Sequence, residues 1–123
     1  MVKAFIFVNS IARRLKLINS LTMENKMQIV GISDEYELAL TSIFKLKPDV
    51  LIHYGDVGKG PVLEKLRKIR EMNPEIKIII LTDEPDCAGE EIYRDKVINF
   101  HAGAGEMSQV NSFIFGCTEG SIH

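Results

Sequence analysis

Two hydrophobic patterns alternate along this chain: short continuous apolar runs, and stretches in which apolar residues recur every three or four positions. A continuous run is typical of a strand covered on both faces of a parallel sheet, and the wider spacing is typical of an amphipathic helix. The runs predict five strands, which lie at residues 4–8, 28–32, 50–52, 76–81 and 97–100.

Helical spacing follows the strands. For the first helix, from residue 11 to about residue 23, the predicted inner stripe consists of Ile11, Leu15, Ile18 and Thr22. Arg13, Arg14 and Lys16 are then expected to face solvent. The second helix, which starts after Ser33 and Asp34, is expected to bury Tyr36, Leu38, Ala39, Ile43, Phe44 and Leu46.

Three further helices complete the pattern. They are predicted after residue 60, between residues 83 and 95, and over residues 106–115. Because strands and helices alternate with short connections, the chain is expected to form an α/β fold, a doubly wound five-stranded parallel sheet with helices on both faces. We expect one domain over residues 1–115, followed by a tail or the start of a linker at residues 116–123.

Composition limits the function classes. The chain has 123 residues, of which 46% are apolar and 26% charged, as in an ordinary single domain. Its net charge of −2 gives no electrostatic reason for direct nucleic acid binding, and no apolar run has the length of a membrane span. Cys87 and Cys117 form neither a CxxC pair nor a zinc-ligand pattern, which favours a reducing cytoplasmic location.

Four segments carry a family resemblance. They are AFIFV at residues 4–8, KPDVLI at 47–52, LEKLRKIREMNPEIKIIILT at 63–82 and VINF at 97–100. Together they resemble a response-regulator receiver domain over nearly the whole chain. The resemblance implies a flavodoxin-like strand order of 2-1-3-4-5 with a pocket at the carboxyl ends of the first, third and fourth strands.

The resemblance also implies where receiver chemistry would lie, and most of these positions do not match. Two acidic metal ligands follow the first strand of a receiver, and this chain has Asn9 and Ser10 there. The phosphoacceptor aspartate that ends the third strand is replaced by Tyr54. The position of the receiver lysine falls on Ala102 or Gly103.

Two positions agree with the family. Thr82 stands where receivers have a threonine or serine, and Phe100 stands where they often have an aromatic switch residue. Mg²⁺ needs carboxylate oxygens, however, and phosphoryl transfer needs a metal and a lysine to neutralise the developing charge. We therefore expect a pseudo-receiver that is not an enzyme, binds no metal or cofactor, and is not phosphorylated by the usual route.

Some of these residues also fit plain structural roles. Asn9 and Ser10 fit the cap of the first helix, and His53 fits a buried histidine on the strand face opposite Tyr54. Tyr54 itself fits a plug whose ring fills the emptied pocket. The glycines within residues 55–60 do not match a phosphate-binding Walker loop. That loop needs a glycine where this chain has His53, and a serine or threonine where it has Gly60.

Two aspartates keep a second hypothesis open. Asp56 lies two residues after Tyr54, and a bulge at Gly55 could carry it into the phosphoacceptor position. Asp83 follows Thr82 directly and would be an acidic neighbour of the pocket mouth, a helix cap or a solvated residue. The alternative is therefore an atypical phosphoacceptor or small-ligand binder that uses both aspartates.

The resemblance implies a protein partner. Receivers commonly dimerise or engage an output domain through the face of the fourth helix, the fifth strand and the fifth helix. We expect a two-component signal-transduction module that acts by protein–protein contacts with an output domain, another partner or a second copy on this face. Direct nucleic acid contact and membrane contact are not expected.

Overall fold

Five parallel strands form the centre of the computed structural model. They are β1 (Val2–Val8), β2 (Met27–Ser33), β3 (Val50–Tyr54), β4 (Lys77–Thr82) and β5 (Phe100–Gly103). Their order in the sheet is β2–β1–β3–β4–β5, which confirms the predicted fold class and topology. The helices are α1 (Ile11–Thr22), α2 (Tyr36–Leu46), α3 (Gly60–Met72) and α4 (Met107–Thr118). The structure describes residues 2–22, 27–55, 60–83, 96–103 and 107–118.

The predicted element bounds hold for most of the chain. β1 to β4 begin and end within two residues of their predicted positions. The fifth strand was predicted at residues 97–100, and β5 instead begins at Phe100. α4 continues past the predicted end at residue 115, while the helix predicted between residues 83 and 95 lies outside the described residues, as do residues 119–123 of the predicted tail.

The displacement of β5 has a local cause. The side-chain oxygen of Asn99 accepts the N–H of Ile78 at 2.7 Å, and the N–H of Asn99 donates to the Ile78 carbonyl at 2.9 Å. The Arg70 guanidinium, on α3, donates to Asn99 Oδ1 and, at 3.0 Å, to the Val97 carbonyl. These bonds hold the apolar segment before β5 as a turn, so regular pairing with β4 starts only after Asn99.

Alternate strand residues point into two separate cores. The core under α1 and α4 includes Ile6, Leu17, Ile52, Ile79, Val110 and Ile114. The core under α2 and α3 includes Phe5, Ile43, Leu51, Leu66, Ile69 and Ile80. Both faces of the central strands are therefore covered, as a parallel sheet requires. No helix in the described part of the chain is long and apolar enough to cross a membrane.

α1 is turned relative to its predicted orientation. Leu17 is buried, whereas Ile11 and Leu15 of the predicted inner stripe are 75% and 57% exposed. Arg13 and Arg14, which were expected in solvent, are half-buried. Their contacts explain the difference, because Arg13 forms an ion pair at the end of β4 and Arg14 lines a groove at the edge of β2.

α2 matches its predicted inner face in part. It buries Tyr36, Ala39 and Ile43, as predicted. Leu38, Phe44 and Leu46 are exposed instead. Because α2 packs beside the edge strand β2, Leu38 and Leu46 border the same groove as Arg14.

Truncation of a side chain in β4 should cost much of the stability. Ile79 is fully buried, so Ile79→Ala is expected to lower the free energy of unfolding by about 2 to 5 kcal/mol, because it leaves a cavity. The matched control is Ile11→Ala on the exposed side of α1, with an expected change within about 0.5 kcal/mol. Urea unfolding measures both, and a loss under about 1 kcal/mol for Ile79→Ala would contradict the burial of β4.

Candidate functional site

The carboxyl ends of β1, β3, β4 and β5 meet at one edge of the sheet. Val8, the last residue of β1, lies beside Tyr54 at the end of β3. Thr82 at the end of β4 lies beside Gly103 at the end of β5. The residues that follow β1 therefore share this edge with Tyr54 and Thr82, where doubly wound sheets hold their sites.

Ser10 caps α1. Its Oγ accepts the N–H of Arg13 at 3.4 Å, and its carbonyl accepts the N–H of Arg14 at 2.9 Å. A side-chain oxygen at this position satisfies one of the free N–H groups of the first helical turn. The neighbouring Asn9 is exposed. Ser10 therefore caps α1, which is one of the two roles expected for it from the sequence.

Three side chains meet at the carboxyl ends of β3 and β4. Tyr54 is 2% exposed, and its hydroxyl donates to Asp83 Oδ1. Arg13 donates to the other carboxylate oxygen, Asp83 Oδ2, from Nη2 at 2.7 Å and from Nε at 3.0 Å. The Arg13 guanidinium also lies 5.3 Å from the centroid of the Tyr54 ring. We refer to these residues as the Tyr54–Asp83–Arg13 cluster.

The protonation states of the cluster fit one another. Burial raises the pKa of Tyr54 to about 12, and the hydrogen bond and negative charge of Asp83 act in the same direction. The hydrogen bond from Tyr54 lowers the pKa of Asp83, against burial, and Arg13 lowers it further. At neutral pH the cluster therefore holds a neutral phenol, a carboxylate and a guanidinium, whose charges cancel.

Asp83 is not available as a second acidic group. Both of its carboxylate oxygens are bonded, one to Tyr54 and one to Arg13.

Gly55, which follows β3, has a φ of +153° that side-chain-bearing residues rarely adopt, and its N–H donates to the Leu81 carbonyl at 2.9 Å. Asp56, the other aspartate of the alternative hypothesis, lies outside the described residues.

His53 lies on the face opposite the cluster, as predicted. It is buried, and its Nδ1 shares a hydrogen bond with the hydroxyl of Tyr36. The ring of Phe7 stacks on both, at centroid distances of 3.8 Å to Tyr36 and 5.0 Å to His53. Burial raises the pKa of Tyr36 well above its usual value, so its hydroxyl stays protonated. His53 is therefore a satisfied core residue.

The aromatic ring beside Thr82 belongs to His101 and not to Phe100. Thr82 Oγ1 lies 3.3 Å from His101 Nε2. Phe100 packs against the core under α1 and α4, where its ring stacks on Phe113 at 4.7 Å between centroids. The placement of the fifth strand before residue 101 hid His101 from the sequence pattern, although a histidine two residues before a candidate pocket glycine is a usable signal.

Within the described ranges, no group of three or more His, Cys, Asp or Glu side chains could hold a metal ion. The described part of the site contributes the carboxylate of Asp83, which is already paired with a guanidinium. Hard divalent cations bind through several oxygen ligands, commonly carboxylates. The described residues at this edge therefore do not fit a magnesium site.

Comparison with known proteins gives the fold. No protein-family model and no curated protein sequence matches the chain. The isolated REC domain of RcsB from Salmonella enterica serovar Typhimurium in its apo form matches with a TM-score of 0.81 and 18% identity, over 98% of this chain and 90% of that chain.

Two further solved structures agree. The REC domain of AraT, a response regulator from Geobacillus stearothermophilus, has a TM-score of 0.78 and 18% identity over 99% of this chain and 98% of that chain. A LuxR-family DNA-binding response regulator from Staphylococcus aureus has a TM-score of 0.76 and 18% identity, over 94% of this chain and 98% of that chain. The chain thus has the fold of response-regulator receiver domains.

The Tyr54 hydroxyl should affect how the free energy of unfolding changes at alkaline pH. Between about pH 10 and pH 12 the folded protein keeps the Tyr54 proton, whereas the unfolded chain loses it. The stability that this proton represents is complete below about pH 10 and is lost as the pH rises toward 12. Tyr54→Phe should therefore lose less stability than the wild type over this range in urea unfolding.

The tyrosinate absorbance provides the control. The difference between the titrations of the wild type and Tyr54→Phe should show one group with a pKa of about 12. Asp83→Asn removes the acceptor charge and should lower that pKa, although burial still keeps it above the usual value. A Tyr54 titration near the ordinary pKa of about 10 would contradict the burial of the side chain and its hydrogen bond to Asp83.

Proposed function

We propose that the chain is a non-enzymatic signal-transduction module with a receiver fold, which acts through protein–protein contacts and is not phosphorylated by the magnesium–aspartate route. The observation that carries the proposal is the Tyr54–Asp83–Arg13 cluster at the phosphoacceptor position. The hydroxyl of Tyr54 is buried, protonated and committed to Asp83, so it is a structural group and a poor nucleophile.

Charge supports this proposal. A receiver active site concentrates negative charge to hold a divalent cation, which then stabilises the transferring phosphoryl group. In this chain Asn9 and Ser10 bring no charge to that place, and Arg13 brings a positive one. The charge of Asp83 is cancelled by Arg13 at 2.7 Å. A magnesium ion would meet a guanidinium instead of a set of carboxylates.

The proposed contact surface is the face of β5 and α4, together with the helix predicted between residues 83 and 95. Receivers use the corresponding face for dimers and output domains. RcsB was solved as two dimers bound to two parallel DNAs, and this chain covers 61% of that RcsB chain. We therefore propose an output domain or another protein as the partner, with no direct contact between this domain and nucleic acid.

Thr82 is the proposed link between the site and this surface. It lies at the end of β4 and is within 3.3 Å of His101 on β5. Phe100 remains a switch candidate through its stacking on Phe113 of α4. We propose His101 as a second switch candidate. A rotation of Thr82 or His101 about their contact would change the surface of β5.

The response to a phosphoryl donor tests the proposal. Incubation with acetyl phosphate, or with beryllofluoride, in the presence of Mg²⁺ should produce no mass shift and no amide chemical-shift change at the sheet edge. The REC domain of RcsB, which was solved with BeF3−, is the positive control.

Asp56→Asn identifies the source of any response. A response that disappears in Asp56→Asn would establish the atypical phosphoacceptor instead of the proposed function. A response that persists in Asp56→Asn would also contradict the proposal and would point to another acceptor, for which Asp83→Asn is the next variant.

Restoration of the aspartate alone should not restore phosphorylation. Tyr54→Asp supplies a nucleophile, but Asn9 and Ser10 still supply no charge for a metal. Magnesium-dependent labelling from acetyl phosphate is therefore expected to stay at the wild-type background. Tyr54→Asn, which is similar in shape and has no charge, is the matched control, and labelling of Tyr54→Asp above that control would contradict the charge argument.

A further inference from the structure

A groove runs along the outer edge of β2, at the opposite end of the sheet from β5. Its volume is about 360 Å³. One wall is Arg14 of α1, and the other is formed by Leu38 and Leu46 of α2. The floor consists of residues 30–33 of β2, the following residue Asp34 and the ring of Phe5. We call this the β2 groove. The proposed function does not use it.

The strand that forms the floor lacks the usual protection of a sheet edge. β2 is terminal in the described sheet and pairs there with β1 alone. Its seven residues, MQIVGIS, include no charged residue and no proline. Free strand edges expose unpaired N–H and C=O groups, and natural proteins commonly blunt them with charges or proline. The bulge at Val30, which has no partner in β1, is the protection that this edge shows.

The groove also presents apolar surface. Leu38 is 66% exposed at its rim, and Leu46 is exposed beside it. At Gly31 the ring of Phe5 lies directly on the strand, because a Cβ atom there would come within 2.4 Å of Phe5 Cε2. Gly31 therefore makes room for the ring of Phe5, which is 2% exposed, and the exposed apolar surface of the groove comes from Leu38 and Leu46.

Two opposite charges in the groove, Arg14 and Asp34, form no ion pair within the part of the chain that the structure describes. The Nε atom of Arg14 is buried and has no hydrogen-bond partner. Asp34 is exposed and makes no ion pair with the described part of the chain. Arg14 is half-buried and lines the groove, so an incoming carboxylate that reaches its guanidinium would be stabilising.

We infer that the β2 groove is an interface between two copies of this chain, in which two β2 strands pair antiparallel across a twofold axis. A twofold interface places the same patch on both partners, so a patch that holds both an unpaired cation and an unpaired anion is complementary to itself. Net charge of −2 on each copy opposes such pairing only weakly.

The register follows from the groove. Residues 30–34 line it, and their centre is Ile32. With the axis at Ile32, Val30 of one copy lies opposite Asp34 of the second copy. Asp34 of each copy then enters the groove that contains Arg14 of the other, and the rims at Leu38 approach each other. The result is a continuous ten-stranded sheet that leaves β5 free at both ends.

Charge-exchange variants of the whole chain test the interface. Arg14→Glu and Asp34→Arg each place like charges in both halves of the twofold contact, so each should raise the dimer dissociation constant at least about tenfold. Mixed in equal amounts, the two variants should form a heterodimer, because every charge then faces its opposite. Analytical ultracentrifugation and native mass spectrometry measure the assembly.

Matched variants separate the charge effect from folding. Lys68→Glu exchanges an exposed charge on α3, outside the groove, and should leave the dissociation constant unchanged. Leu38→Arg, at an exposed position, should weaken the dimer by steric and charge exclusion without loss of the circular dichroism signal. Asp34→Arg and Leu38→Arg carry the test if Arg14→Glu does not fold.

Three outcomes would overturn the inference. They are a wild-type chain that stays monomeric up to millimolar concentration, a dimer that persists in Asp34→Arg and Leu38→Arg, and two charge variants that fail to associate when mixed. A dimer dissolved by a substitution on the β5 and α4 face would instead identify that face. The phosphoryl-donor response is read on the same samples and is independent of these outcomes.

Discussion

The contact between Tyr54 and Asp83 decides what this sheet edge can do. A phenol at the end of a central strand is buried, and a buried hydroxyl needs a partner. Asp83 is the acceptor, and its carboxylate, which solvent also reaches, pairs with Arg13 through the second oxygen. Each member of the cluster thus compensates the cost of another. Tyr54 is therefore not an isolated side chain at the end of β3, because Asp83 and Arg13 are bonded together beside it.

The ion pair between Arg13 and Asp83 accompanies the orientation of α1. Arg13 can reach Asp83 only from a helix turned toward the end of β4, and that turn leaves Ile11 and Leu15 on the exposed side. It also carries Arg14 to the edge of β2. In this orientation Leu17 is the residue of α1 that enters the core, while Arg13 faces the end of β4 and Arg14 borders the β2 groove. Local hydrophobic spacing does not predict the orientation of α1. A stripe at three- and four-residue intervals carries no information on which long polar side chains pair with a residue far along the chain.

The sequence predicted the architecture because its signals are local and strong. Three consecutive isoleucines in β4 and the uninterrupted run in β1 need no knowledge of the rest of the fold. β5 was misplaced because Val97 and Ile98 are apolar, yet Arg70 and Asn99 hold them outside the ladder. For the site, the spacing placed Tyr54 and Thr82 at one edge, whereas the pairing of Asp83 with Arg13 joins residues 70 positions apart and has no local signature. His101 was hidden by the same displacement that moved β5.

The two proposed contact surfaces lie at opposite ends of the sheet, and this position bears on how the module could work without phosphate. A phosphorylated receiver can couple its charge state to the exposure of a binding face, but the Tyr54–Asp83–Arg13 cluster has a fixed charge near neutral pH. On the proposed function, assembly would depend on concentration and on surface complementarity. A β2 edge with a self-complementary charge pair meets that requirement, since strand pairing needs no trigger. The dimer would hold two β5 faces at a fixed distance and angle. A partner that binds both faces would gain avidity from the dimer and not from a chemical switch.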